Sequence, residues 1–518
     1  MTSSVWRGAL ILTGAAIAVK IMSVLYRIPY QNIAGDLGFY VYQQIYPFFA
    51  GAVFLAAYGF PAAISKLVAV RLAERRTGGA EEVFVRSFLV LAVFSGAVFV
   101  LLFGGAPWIS NVMGDSRLAG PLKTVAFSFL FIPPIAVIRG FFQGNDQMSP
   151  TAVSQLFEQS VRAALIIGLT VYVVFHGMGP YSAGMAAGIG SSAGMAAASV
   201  VLIVYAFRNR VLFCQKGEVI SFAAMVKVLT VDGLAFSVSS LGLVLFLLID
   251  TFTVVPLLGT SLSEARVQMG VYDRGYPVVQ LATAAAISFT LAFVPEMARA
   301  HARGDREFVR EKSRLAIRLC FAFGAAGVTG LALIVRPFNI MLFQDASGSQ
   351  TLALFGVTML FSMIAMTTAG LLQALGETRR TFYHTWIGLI LKGALNFILI
   401  PAFGIFGAAT ATVLAFAVIA GLNGLTLHKR TEAFFALSGS GRKLLAALLL
   451  MAGVVAIWQY GWASLFPGLE SRLFASIKAL GAVVAGAVAY LLALLRLGFF
   501  SKTELAAFSK GEKTKRSA

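Results

Sequence analysis

Apolar runs long enough to cross the ~30 Å hydrocarbon core of a bilayer recur from one end of this chain to the other. About fourteen can be drawn, over residues 8–33, 39–70, 86–110, 122–143, 152–176, 181–207, 229–258, 270–298, 314–335, 351–375, 382–402, 404–427, 443–464 and 473–497. Lipid offers no hydrogen bonds to the backbone, so runs of this length are helices that satisfy their own polar groups. The fold class is therefore an all-α integral membrane protein with about 14 transmembrane helices and no room for a soluble domain. Only 12% of the 518 residues are charged and 58% are hydrophobic, whereas soluble domains carry roughly 25% charged residues.

The formal net charge of +19 could suggest a nucleic-acid partner. The cations instead lie in short loops: "RLAERR" (71–76), "RNR" (208–210), "ARAHARGDREFVREKSR" (298–314), "TRR" (378–380), "HKR" (428–430) and the tail "KGEKTKRSA". Those loops share one side, and the opposite side holds mainly Arg117, Lys123, Arg266, Arg274, Arg336, Arg472 and Lys478. Cytoplasmic loops concentrate Lys and Arg, so both termini are expected in the cytoplasm. No nucleic-acid partner is expected. No small-x-small cleavage site follows the first apolar run, which reads as the first helix and not a removed signal. Cys214, Cys320 and the four histidines are scattered, so neither a disulfide framework nor a metal site is expected.

Internal similarity divides the chain. "IYP" (45–47) and "GYP" (275–277) open the second and eighth helices, and "GFPAAISK" (59–66) and "AFVPEMAR" (292–299) close them. "RGFFQGNDQ" (139–147) pairs with "AGLLQALGE" (369–377), and "GPYSAGMA" (179–186) with "GIFGAATA" (404–411). The offset stays at about 230 residues, which predicts two similar six-helix bundles and two extra C-terminal helices. The expected divisions are residues 1–210, 211–430 and 431–518. Both bundles start on the cytoplasmic side, a parallel repeat of the kind that opens a central site to each side in turn.

Ionisable residues inside apolar runs then carry the functional reading, because such charges face cavities or partners. Lys20 lies ~13 residues into helix 1, about 20 Å at 1.5 Å per residue, too deep for its stem to reach water easily. Arg27 follows seven residues later on the same face, with Pro29 expected to kink the helix or end its regular part. In the second half Asp250 stands near the repeat position of Arg27, and Lys392 is central in helix 11 with Asn396 one turn on. Glu158 precedes Arg162 by four residues, a spacing that favours an ion pair within one helix. Asp273 and Arg274 open helix 8, either as an interfacial pair or as part of the cavity. Lys66 and Arg139, at helix ends, are expected to snorkel to water. Cations outnumber acids in this set, which favours an anionic, phosphate-bearing substrate. Drug-cation export would want aromatics and carboxylates instead.

"SVLYRIPYQNIAGDLGFYVYQQIYP", "GFPAAISKLVA" and "RGFFQGNDQMSPTAVSQ" resemble the SpoVB/YtgP branch of polysaccharide-biosynthesis membrane proteins, within the MOP superfamily of MATE, Wzx and MurJ-like transporters. The resemblance covers essentially the whole chain. It implies a lipid II flippase that moves undecaprenyl-diphosphate-linked peptidoglycan precursor across the bacterial cytoplasmic membrane by alternating access. It also implies substrate-binding cations in helices 1, 2 and 8. Lys20 and Arg27 stand at the helix 1 pair, and "YDRGY" (272–276) supplies Arg274, while "FFAGAVF" after Pro47 holds no helix 2 cation. Asp250 matches the helix 7 acid of the family's sodium site, whose helix 11 acid is replaced here in the region of Lys392. A groove for the lipid tail would involve helices 13 and 14.

The diphosphate is thus expected at Lys20, Arg27 and Arg274. Asp250, Asp273, Lys392, Asn396, Glu158 and Arg162 are candidates for cavity charge or coupling to membrane potential, H+ or Na+. No cofactor and no enzyme activity are expected, and a monomer is. Export of another lipid-linked oligosaccharide, for spore cortex or surface polysaccharide, is the alternative, ahead of a MATE-like antiporter. An enzyme acting on polyprenyl phosphates would want clustered carboxylates holding Mg2+, and the acids here are dispersed.

Overall fold

The computed structural model describes residues 2–73, 77–209, 221–227, 229, 242–433, 440–468 and 471–500. Among them no strand occurs. The first half runs α1 (Thr2–Phe54), α2 (Phe60–Ala73), α3 (Thr77–Val112), α4 (Ala119–Ala126), α5 (Ile132–Gly144), α6 (Ser149–Phe175), α7 (Pro180–Arg208) and α8 (Phe222–Lys227). Then come α9 (Gly242–Leu257), α10 (Leu262–Asp273), α11 (Gly275–Ala302), α12 (Arg306–Phe343), α13 (Ser349–Ala374), α14 (Thr378–Thr431), α15 (Gly441–Leu465) and α16 (Arg472–Arg496).

Two of these helices are really pairs. Gly35 (φ 70°, ψ 178°) interrupts α1, and Gly404 (φ 58°, ψ −140°) interrupts α14. Only glycine enters such positive-φ geometry without strain, so one residue does the work of a loop. The reversal is visible in Tyr26 and Tyr42, whose hydroxyls lie 2.5 Å apart across sixteen positions. A straight helix would hold those positions about 24 Å apart. The helix runs on through Pro29 and its regular part ends at Gly35, six residues beyond the expected end. Pro29 is tolerated because helix neighbours in a bundle can re-satisfy a freed carbonyl. Ten described helices are long and apolar enough to cross a membrane, two of them containing these breaks. With Gly242–Leu257 and Gly275–Ala302, the apolar segments among the described residues number fourteen, as the hydropathy pattern requires.

The chain forms two compact units. One comprises Met1–Asp273 with Leu389–Ala408, and the other Arg274–Gly388 with Ala409–Ala518. In the first, Tyr26, Tyr30, Phe39 and Tyr42 of α1 pack on Ile166 of α6 and Ala187 of α7. Helices approach closely where one offers glycine, the usual basis of association where lipid removes the hydrophobic drive. A methyl added at Gly194 of α7 would sit 2.8 Å from the Glu158 carbonyl and 2.9 Å from Arg162 Cβ on α6. That contact sets the spacing of the two helices beside Glu158 and Arg162.

The second unit is built around α11, α12 and α13. Phe293, Met297, Ile317, Leu319, Leu371 and Leu372 are buried together there. The last two helices pack on α12 through Ala447, Met451, Ala482 and Tyr490, and the Tyr490 hydroxyl donates to the Ala322 carbonyl at 2.7 Å. Large apolar side chains such as Val93, Leu101 and Phe175 point outward at 72–85% exposure, which suits a lipid surface and not water.

Candidate functional site

Three of the sequence's candidate cations meet inside the first unit. Arg27 is fully buried and its guanidinium carbon lies 4.1 Å from the centre of the Tyr46 ring and 5.9 Å from that of Tyr42. Ring faces attract the cation through their quadrupole but carry no counter-charge. Among the described residues none of the three guanidinium nitrogens has a hydrogen-bond partner within geometric limits. Half-buried Lys20 and buried Arg162 lie within electrostatic reach of the same Tyr46, and Lys20 within reach of both arginines.

Arg162 lies over the Phe49 ring at 4.8 Å and 3.7 Å from Glu158, so the expected pair within α6 forms. Glu158 is shared, however. Arg139 reaches it at 3.1 Å and also donates from Nε to the Ser154 hydroxyl at 3.0 Å. The snorkelling expected of Arg139 is thus overturned: its side chain is fully buried, because Glu158 and Ser154 on the neighbouring helix supply the polar partners that water would have. Lys66 is exposed. Arg139 and Arg162 therefore share one carboxylate on α6, while Lys20 and Arg27 gather with Arg162 around Tyr46. Among the described residues these four cations lie with two carboxylates, Glu158 and Asp273, so positive charge is in excess.

A second group in the same unit is neutral by internal pairing. Lys392 Nζ lies 2.6 Å from Asp250 Oδ1, both fully buried. The Tyr272 hydroxyl donates to Asp250 Oδ2 at 2.8 Å, and Asn396 Nδ2 donates to Asp250 Oδ1 at 2.9 Å and to the Thr253 hydroxyl at 2.8 Å. Lys392 also reaches Asn396 Oδ1 and the Ala408 carbonyl, each at 3.5 Å. Asp250, Lys392 and Asn396 are thus one network. Asp273 is fully buried, neither of its carboxylate oxygens has a hydrogen-bond partner among the described residues, and it lies within electrostatic reach of Asp250 and Arg27.

Arg274 belongs to the second unit. Its two terminal nitrogens clasp Asp345 at 2.9 and 2.8 Å, and Nη1 also reaches Asn339 Oδ1 and the Ser347 carbonyl, each at 3.3 Å. Its salt-bridge partner among the described contacts is Asp345, in the turn after α12, and not its neighbour Asp273. Burial pushes the Asp345 carboxyl up, but the Arg274 guanidinium and the Ser347 amide outweigh it and hold the group below the usual carboxylate range.

Sequence reasoning missed the tyrosines around Arg27, because the contact crosses the turn at Gly35. It also missed Asp115, a buried carboxylate that accepts from Tyr40, Tyr181 and Arg266 at 3.1, 2.6 and 2.7 Å. The available signal was an acid directly after Gly114 at the end of an apolar run.

Fourteen apolar segments among the described residues, glycine breaks in place of loops and charges held within the helices define a multi-pass membrane protein, and its fold is similar to that of a solved MATE transporter and a solved MurJ. The family model described as "Polysaccharide biosynthesis protein" matches residues 5–301, and the chain belongs to that family. It is 36% identical over 514 residues to the uncharacterized membrane protein YabM of Bacillus subtilis, covering 98% of this chain and 96% of the relative. It is 25% identical over 537 residues to the lipid II flippase MurJ of the same organism, covering 97% of each. Among solved structures, a lipid II flippase MurJ in an inward closed conformation superposes with a TM-score of 0.69 at 16% identity, over 94% of this chain and 99% of that one.

Proposed function

We propose that this protein is a flippase for lipid II, carrying the undecaprenyl-diphosphate-linked precursor from the inner to the outer leaflet of the bacterial cytoplasmic membrane by alternating access. Both termini face the cytoplasm, the working unit is a monomer, and no bond is made or broken. The observation that carries this reading is Arg27, a buried guanidinium whose nitrogens find no hydrogen-bond partner within geometric limits among the described residues, beside Lys20 and Arg162. A diphosphate supplies two adjacent anionic groups, enough to engage Arg27 and Lys20 together, with Arg162 bounding the site. Full-length similarity to a protein named as a lipid II flippase supports the same substrate class.

One departure favours a second reading, the export of another lipid-linked oligosaccharide. The stretch after Pro47 has no cation, and one of the two helix 1 cations is a lysine, which binds phosphate as a point charge without the arginine fork. A MATE-like drug antiporter is disfavoured by the sign of the cluster. Depletion of the protein separates the first two: lipid II accumulating on the inner leaflet supports the proposal. Accumulation of a different lipid-linked glycan supports the second, and normal flux of every such lipid would contradict both.

A further inference from the structure

Beside its cations the first unit also buries a row of amides. On α6, Gln155, Gln159, Arg162 and Ile166 follow one another at spacings of four, three and four residues, which is one stripe of a helix. Contacts fix the direction of that stripe. Ile166 is buried among Tyr26 and Tyr42, and Arg162 lies over the Phe49 ring at 4.8 Å, so the stripe faces α1. On α1, Gln43 stands one turn before Tyr46, whose ring lies under Arg27 and within electrostatic reach of Arg162.

Gln43, Gln155 and Gln159 are all buried. Among the described residues, neither the oxygen nor the nitrogen of the Gln43 and Gln159 amides has a hydrogen-bond partner, and the Gln155 amide oxygen has none either. A buried amide left unpaired is costly, and each such group in a native structure asks for a reason. Five unpaired atoms on two packed helices, next to a cluster of cations, point to a ligand. Gln44 is buried and unpaired as well, but it shares the face of Phe48, whose ring packs 6.4 Å from Phe252 of α9, and so stands apart from the row.

We propose that Gln43, Gln155 and Gln159 form a subsite for the sugar joined to the diphosphate, an inference that rests on Arg27 binding that diphosphate. The unpaired atoms say what the ligand must bring. Three of them are amide oxygens, which only accept, so the ligand must donate. A phosphate offers acceptors alone and a hydrocarbon tail offers neither, whereas sugar hydroxyl and acetamido groups both donate and accept. The row begins at Arg162 and reaches Gln155 seven residues away, about 10 Å along α6, so the sugar extends from the cations towards the N-terminus of that helix. The consequence is selectivity. A carrier diphosphate without sugar leaves the amides unpaired, and a site built to bond a hydroxyl discriminates strongly against a ligand that lacks it. The protein thereby distinguishes a loaded lipid carrier from an empty one.

The test measures binding of two lipids to the full chain in detergent: undecaprenyl diphosphate, and lipid II, which carries sugar on the same diphosphate. Each hydrogen bond contributes about 2–10-fold. Wild type should bind lipid II at least about tenfold more tightly than undecaprenyl diphosphate. Gln159→Met should lower that ratio about 2–10-fold, and Gln43→Met/Gln159→Met should bring it near parity with undecaprenyl diphosphate still bound. Arg27→Gln should weaken both lipids and keep the ratio, and Gln44→Met should change neither. Because the Gln159 amide is unpaired, Gln159→Met should leave the unfolding temperature unchanged or raise it. A lowered unfolding temperature with both lipids weakened alike would make Gln159 a structural residue and overturn its place in the subsite. Equal binding of the two lipids by wild type, or a ratio untouched in Gln43→Met/Gln159→Met, would overturn the subsite and leave the diphosphate reading standing. Loss of the ratio in Gln44→Met would overturn the assignment to this row, and failure of wild type to bind either lipid would overturn both proposals. If Gln159→Met does not fold, Gln43→Met on the other helix decides, and an undiminished ratio there contradicts the subsite.

Discussion

Lys392 and Asp250 form a fully buried ion pair at 2.6 Å, held from one side by Tyr272 and from the other by Asn396. Two charges removed from water depend on each other. Removing one partner leaves an uncompensated buried charge and costs about 3–5 kcal/mol, while replacing both by neutral groups is often tolerated. Lys392→Met and Asp250→Asn should each lower the thermal unfolding temperature in detergent, and the double variant should recover most of the loss. Additive losses in the double variant would show that the two side chains act separately.

Arg27 and Arg139 predict opposite outcomes, although both are fully buried arginines. Arg139 is bonded to Glu158 and Ser154, so Arg139→Gln should destabilise by about 3–5 kcal/mol. Arg27 has no such partner, so Arg27→Gln should leave thermal stability unchanged or raise it while transport falls. A charge-assisted hydrogen bond contributes roughly 1.5–3 kcal/mol, so apparent substrate affinity should drop by about 10–100-fold. Lys20→Ala and Arg27→Ala together should abolish complementation in flippase-depleted cells with the protein still in the membrane.

The clasp between Arg274 and Asp345 should persist in mild acid. Because the folded carboxyl lies below the ordinary value of 3.8, its contribution is present above that pH and is lost only as pH falls through the lower folded value. Thermal stability of wild type and Asp345→Asn, compared from neutral pH downward, should differ by a constant amount until below about pH 4 and then converge. Convergence already near neutral pH would contradict the depressed carboxyl.

Gly194 sets the spacing of α6 and α7 beside Glu158 and Arg162. Gly194→Leu forces the helices apart and should destabilise by about 1–3 kcal/mol, as overpacking does elsewhere. The displaced Arg162 should weaken substrate binding as well, whereas Gly96→Leu, where added carbon meets open space, should do neither.

Hydropathy made the helices legible, because a membrane span is announced by its whole length and needs no partner to be recognised. The joins were less so: "NIAGDLG" reads as an ordinary turn, yet α1 is helical up to Gly35 and again beyond it. Single ionisable residues in apolar runs led to Lys20, Arg27, Asp250 and Lys392, since each is costly enough to stand out. Which charge answers which was hidden. Lys392 finds Asp250 across 142 positions and Arg274 finds Asp345 across 71, separations that periodicity does not encode. Arg139 was misread for the same reason, because a helix-end cation looks alike whether it ends in water or on a neighbouring helix.

The central claim is that the Arg27 cluster binds a lipid-linked diphosphate during translocation. Its most direct measurement is transbilayer movement of lipid II in proteoliposomes holding wild type or Arg27→Gln at equal protein density. The account predicts translocation by wild type, competed by undecaprenyl diphosphate and reduced at least about tenfold by the substitution, with unfolding temperature preserved. Equal rates in the two proteins, or movement indifferent to the diphosphate, would contradict it.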